Sequence, residues 1–158
     1  MFEVHKSDDH PGPAELLAQV ESLLSGQSDL IANAANLCSL LFYSLDEVNW
    51  VGFYFLKNDE LVVGPFQGKP ACVSIPMGKG VCGKAAQTGS VQRVADVHEF
   101  DGHIACDTAS RSEIVLPLFR DGKLLGVLDL DSPVENRFDE EDELLLTRVA
   151  ELFVNSLT

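Results

Sequence analysis

Four cysteines occur in the 158 residues, and no two of them stand in a CxxC pair. That absence argues against a thioredoxin-type dithiol and against a zinc ribbon. Apolar runs are short, far below the ~20 residues of a membrane-spanning helix. None opens the chain either, because Met1-Phe2-Glu3-Val4-His5-Lys6 runs into acids and prolines. Neither a membrane span nor a secretory leader is expected, and the cytoplasm is the default compartment. In that reducing setting the cysteines do not read as a structural disulfide framework. Basic residues are also scarce: 11 Lys+Arg stand against 25 Asp+Glu, a net charge of −14. A phosphate backbone needs a basic face, so nucleic acid is excluded as a partner.

What is present describes an ordinary globular domain, with 46% hydrophobic and 23% charged residues. There is no internal repeat and no linker, so a single domain spanning 13–158 is expected, preceded by a loose polar arm at 1–12. Leu16, Leu17, Val20, Leu23 and Leu24 recur at helical spacing before Gly26. Ser28-Asp29 can cap a second helix to about Leu45, with Leu30, Ile31, Ala34, Leu37, Cys38, Leu41, Phe42 and Leu45 as its apolar stripe. Cys38 on that stripe reads as core.

From Trp50 the period becomes two. Residues 50–56 and 60–66 read as a hairpin, 73–75 as a short strand, 81–87 as a helix ended by Gly89, and 91–95 as another short strand. Residues 96–111 form a long irregular segment, a length that inside compact domains usually signals function. Strands at 113–119 and 124–131 flank Asp121-Gly122, a strong hairpin turn. A last helix covers 140–157, with Asp139 as N-cap and Leu145, Val149, Leu152, Phe153 and Leu157 on its buried face. Helices at both ends around a mostly antiparallel sheet predict an α+β domain.

Three constellations carry chemistry. Cys106 sits on the irregular segment, flanked by His103, Asp107 and Arg111, where a nearby cation favours the thiolate. Upstream, Cys72 and Cys82 could trap an oxidised Cys106, although position alone leaves open that these thiols are small apolar fillers. Strand alternation puts Leu125, Val127, Asp129 and Asp131 on one face, and Glu113 can reach the same pocket from the preceding strand. Clustered carboxylates repel, so they imply a bound positive group or a raised pKa; a solvated strand end is the alternative. Trp50, Gly52 and Tyr54 share a face, two aromatics with a gap between them, suiting a small molecule with apolar and positive parts, or plain core packing. No metal motif is found: His98-Glu99 begins like HExxH, but the fifth position is Gly102. Gly78, Gly80 and Gly83 lack the GK[ST] of a phosphate loop, and no cofactor is implied.

Taken in order, Asn49-Trp50-Val51-Gly52-Phe53-Tyr54, Gly64-Pro65-Phe66-Gln67-Gly68, Gly78-Lys79-Gly80-Val81-Cys82-Gly83 and His103-Ile104-Ala105-Cys106-Asp107 form one pattern with Ser112-Glu113-Ile114-Val115-Leu116-Pro117, Gly126-Val127-Leu128-Asp129-Leu130-Asp131-Ser132-Pro133 and Arg137-Phe138-Asp139. The pattern resembles the free methionine-(R)-sulfoxide reductases, single GAF domains that reduce the free amino acid. The resemblance implies Cys106 as catalytic nucleophile, Cys72 as resolving cysteine, Cys82 as an alternative or relay thiol, and thioredoxin as reductant. It further implies Glu113, Asp129 and Asp131 as essential carboxylates, Trp50 and Tyr54 as the aromatic wall, and a homodimer. Asp131, with Glu113, is assigned to the sulfoxide oxygen, and Asp129 with Glu113 to the ammonium. A competing reading is a sensory GAF module, because Asn136-Arg137-Phe138-Asp139-Glu140 resembles the NKFDE motif of cyclic-nucleotide-binding members. A third is a carboxylate metal site that hydrolyses a small molecule.

Overall fold

Alternating side chains on a shared sheet divide this protein into an apolar helix side and a pocket side. The computed structural model describes residues 10–102 and 109–158. Six strands form one sheet in the order β3-β2-β1-β6-β5-β4. These are β1 Trp50–Lys57, β2 Glu60–Gln67, β3 Ser74–Pro76, β4 Gln92–Val94, β5 Ser112–Arg120 and β6 Lys123–Ser132. All strand pairs are antiparallel. Both long hairpins close through two residues with positive φ, Asn58 (50°) and Asp59 (65°) in the first and Asp121 (52°) and Gly122 (77°) in the second. Those angles make type I′ turns, whose twist matches that of the strands they join.

The helix side is covered by α1 Pro13–Leu24, α2 Leu30–Ser44 and α4 Glu140–Ser156. Pro13 opens α1 where a missing N–H is harmless. Asp29 caps α2 by accepting from Ala32 N at 2.8 Å. Asp139 and Asp142 form a capping box at α4, with Glu140, Glu141 and Glu143 also at its positive end. Beneath these helices lie Val51, Phe53, Phe55, Ile114, Leu116, Leu128 and Leu130. Phe53 packs at a tilt against Phe153 of α4 with centroids 4.5 Å apart. Each such buried side chain contributes about 1.5–3 kcal/mol of transfer free energy. Cys38 is fully buried here and donates to the Pro65 carbonyl at 3.3 Å, where a register shift interrupts the β1–β2 ladder.

Three side chains depart from the sequence expectation. Leu125 packs with the helix-side core, not with the acids, because the β5–β6 register shifts there: Leu118 faces Gly126 and Phe119 faces Leu124. Gly126, at φ 158°, presses so close to the Tyr54 backbone that a side chain would clash. Ile31 is 57% exposed on the outer side of α2, and Leu146 rather than Leu145 is the fully buried leucine of α4. The expected arm falls mostly on residues 1–9, outside the described residues, but His10 bonds the Ser44 carbonyl at 2.9 Å. Within the irregular segment, Val97–Glu99 form a 3-10 turn with Val97 fully buried.

Among the described residues, α3 Gly80–Thr88 is the helix that packs on the opposite face of the sheet. Gly89 ends it with a left-handed φ of 67°. The pocket lies between the N-terminal end of this helix and the strands β1, β5 and β6.

Candidate active site

Three strands supply the pocket floor in register. Asp131 of β6 lies between Trp50 of β1 and Glu113 of β5; one step along, Asp129 lies between Gly52 and Val115. A further step puts Val127 between Tyr54 and Pro117. The alternation that buries Leu128 and Leu130 under the helices therefore aims Asp129 and Asp131 the other way. Gly52 is required at its place, because a Cβ there would collide with the Trp50 indole and Phe66. With that space free, Trp50 stacks on Phe66 at 5.3 Å and on Tyr54 at 5.8 Å. The Trp50 Nε1–H donates to the Lys69 carbonyl at 3.1 Å, tying the β2–β3 connection to the pocket wall.

The cavity holds about 530 Å³ of empty space counted out to its mouth. Trp50, Tyr54, Cys82, Glu113, Asp129 and Asp131 all line it, so the structure brings together these residues singled out in the sequence. Cys72 lies half-buried in the β2–β3 connection and is disulfide-bonded, whereas Cys38 and Cys82 are free thiols. Cys106, with its neighbours His103 and Asp107, lies outside the described residues. Ala71, Ser110, Lys69 and Lys79 also line the cavity and were missed. The first three carry no sequence signal, since loops place them. Lys79 had one in Gly78-Lys79-Gly80, dismissed as a failed phosphate loop.

Glu113 and Asp129 are 6% and 5% exposed. Burial holds the Glu113 carboxyl well above the ordinary carboxylate range, and the charge of Asp129 raises it further. Asp129 is raised likewise, by burial first and then by Asp131. Burial also pushes the Cys82 thiol up, reinforced by Asp129, Glu113 and Asp131. The Tyr54 phenol is raised by burial and then by Asp129. Between its aromatic walls the pocket thus disfavours the charged forms of Glu113 and Asp129. Such groups can donate a proton to a developing anion, or ionise when a cation arrives. At the rim, Asn49 donates from Nδ2 to Ser110 Oγ at 3.4 Å and its N–H bonds the Asp131 carbonyl at 3.0 Å.

The Asn136–Glu140 run serves the fold. Arg137 pairs with Asp142 at 3.2 Å and donates to the Asp46 carbonyl, while Asp139 caps α4. No helix among the described residues is long and apolar enough to cross a membrane.

Known proteins agree with this architecture. The GAF-domain family matches residues 27–157. Protein YtsP of Bacillus subtilis is 56% identical, with 99% of each chain covered. The free methionine-R-sulfoxide reductase of Escherichia coli is 55% identical over 82% of this chain and 79% of its own. The structure of the Neisseria meningitidis enzyme of that name, in complex with its substrate, superposes with a TM-score of 0.92 at 43% identity, covering 99% of this chain and 95% of that one. With the acid-and-aromatic pocket in place on this fold, the chain belongs to the GAF-domain family of free methionine-(R)-sulfoxide reductases.

Proposed function

We propose that this protein reduces free methionine-(R)-sulfoxide to methionine, with Cys106 as nucleophile, Cys72 as resolving thiol and thioredoxin as reductant. The observation that carries the proposal is the convergence of Glu113, Asp129 and Asp131 on one aromatic-walled pocket, the first two buried with their pKa values raised. A sulfoxide oxygen leaves poorly unless protonated, and a free amino acid brings an ammonium that needs a carboxylate. Asp131, with Glu113, delivers the proton to the oxygen; Asp129, with Glu113, holds the ammonium. Trp50 and Tyr54 pack against the S-methyl side.

In the reaction the Cys106 thiolate attacks the sulfoxide sulfur as its oxygen takes a carboxyl proton. The sulfoxide is reduced to the thioether, and the oxygen remains on Cys106 as a sulfenic acid. The Cys72 thiol displaces it as water, forming a disulfide, and the dithiol of thioredoxin returns two electrons by exchange. Cys82 is the alternative resolving thiol, although its raised pKa leaves it a poor nucleophile while the acids around it are in place. The cytoplasm is the default compartment for this chemistry, and the family resemblance adds a homodimer, which light scattering would test.

An NADPH-coupled thioredoxin assay comparing the R and S epimers of the free amino acid with a peptide substrate tests the reading. Turnover is expected with the free R epimer alone. Equal rates on both epimers, or none on either, would overturn it. The sensory alternative has less support, since within Asn136–Glu140 Arg137 pairs with Asp142 and Asp139 caps α4.

A further inference from the structure

Cys82 has no necessary part in the chemistry above, yet its thiol is buried against two acids. It lies in the first turn of α3, Glu113 at the start of β5 and Asp129 near the end of β6. Each offers one ligand atom, a Sγ and two carboxylate oxygens, and all lie within 4.8 Å of one another. A second observation points to a ligand. Asp129 Oδ1 is buried without a hydrogen-bond partner, although the residue lines the cavity and is only 5% exposed. An oxygen left in that state at the floor of a pocket has a large desolvation penalty to recover.

We propose that Cys82, Glu113 and Asp129 bind a thiophilic divalent cation of the zinc class in the reduced protein, and that this cation competes with methionine sulfoxide for the same carboxyls. The competition half rests on the reductase reading; the binding half does not. A triangle of 4.8 Å sides has its centre about 2.8 Å from each corner. Zinc–sulfur and zinc–oxygen bonds are about 2.3 and 2.0 Å, so inward movements of under about 1 Å bring the donors to bonding distance. One sulfur and two oxygens suit zinc or cobalt, whereas magnesium and calcium take oxygen donors only. The open side of the cavity admits a water as fourth ligand. Binding releases to solvent whatever protons the thiol and the two carboxyls carry, with no change of oxidation state.

Elsewhere in the protein Cys38 provides an internal contrast. It is equally buried and free, but its Sγ faces the Pro65 carbonyl among apolar residues, with no acid beside it.

The test titrates Co2+ into the reduced full-length protein without air and follows the thiolate-to-cobalt charge-transfer band. The band is expected in the wild type and in Cys106→Ser, and Zn2+ should displace it while Mg2+ should not. Cys82→Ser should abolish it and weaken Zn2+ binding by about a hundredfold or more, at least the loss typical of outer-shell ligand changes. Asp129→Asn should weaken binding similarly, and thermal melts establish that both variants fold. In Cys106→Ser, which cannot turn over, free methionine-(R)-sulfoxide should bleach the band. No band, or one as strong in Cys82→Ser as in the wild type, would overturn the site. If the protein reduces the sulfoxide yet shows no Cys82-dependent band, the cation site alone falls. A Cys82-dependent band with no reduction of either epimer removes the reductase reading and leaves the cation site standing.

Discussion

The two faces of one sheet use the same strands to opposite ends. On the helix side, β1, β5 and β6 present Phe53, Ile114, Leu116, Leu128 and Leu130 to three helices in one apolar cluster. On the other side the same strands present Trp50, Glu113, Asp129 and Asp131 to one short helix and a cavity. The first arrangement gains stability from burial; the second gives it up, because burying carboxyls that repel one another opposes folding. The contrast is sharpest in the two free cysteines, both buried, one among leucines and one among acids. Stability and chemistry are separated here by a single residue of strand register.

Asp131→Asn should break the comparison most severely on the pocket side. Removing a general acid typically lowers the rate by a factor of about 10²–10⁴. Steady-state kinetics should record that loss while the melting temperature stays put. An unchanged rate would mean that another carboxyl protonates the oxygen.

On the helix side the equivalent blow falls on folding. Phe53→Ala removes the ring packed on Phe153 and should destabilise the protein by about 3–5 kcal/mol, read from denaturant unfolding.

Asp129→Asn should show both faces of the argument at once. Substrate affinity should fall by about 1.5–3 kcal/mol, the value of a hydrogen bond to a charged group. Stability near neutral pH should rise. The folded-state pKa values of Asp129 and Glu113 are raised. Below the unfolded values, near 4, both states are protonated and these groups have no effect. As pH climbs above 4 the unfolded chain ionises first, so stability falls until the folded groups ionise too. The variant should flatten that decline, and melting curves between about pH 4 and 8 would measure it.

Smallest of all, Cys38→Ala should cost about 1 kcal/mol through a lost thiol contact and a small void, and leave turnover unchanged.

Much of this contrast is legible in the sequence. Period-two alternation in residues 127–131 separates Leu128 and Leu130 from Asp129 and Asp131 without any coordinates. Helix caps such as Asp29 and Asp139 and the two turns at Asn58-Asp59 and Asp121-Gly122 are local chemistry, and local chemistry reads well. Leu125 was misplaced because a bulge reverses alternation, and Gly126 could not announce that a neighbouring backbone would sit against it. Lys69 and Ser110 escaped notice because loops bring them to the cavity from regions with no periodic pattern. Cys82 was read as a redox partner; its place among the carboxyls depends on how α3 docks, which no pattern within residues 80–88 encodes.

Trp50 is the sole tryptophan of the chain. Its indole lies in the cavity wall, stacked on Tyr54 and Phe66 and bonded through Nε1 to the Lys69 carbonyl. Any tryptophan emission from this protein therefore originates at one known spot, a few ångströms from its acids, with no background from elsewhere. Occupancy of the cavity becomes an optical quantity, readable in real time by stopped-flow fluorescence on the native chain without a label.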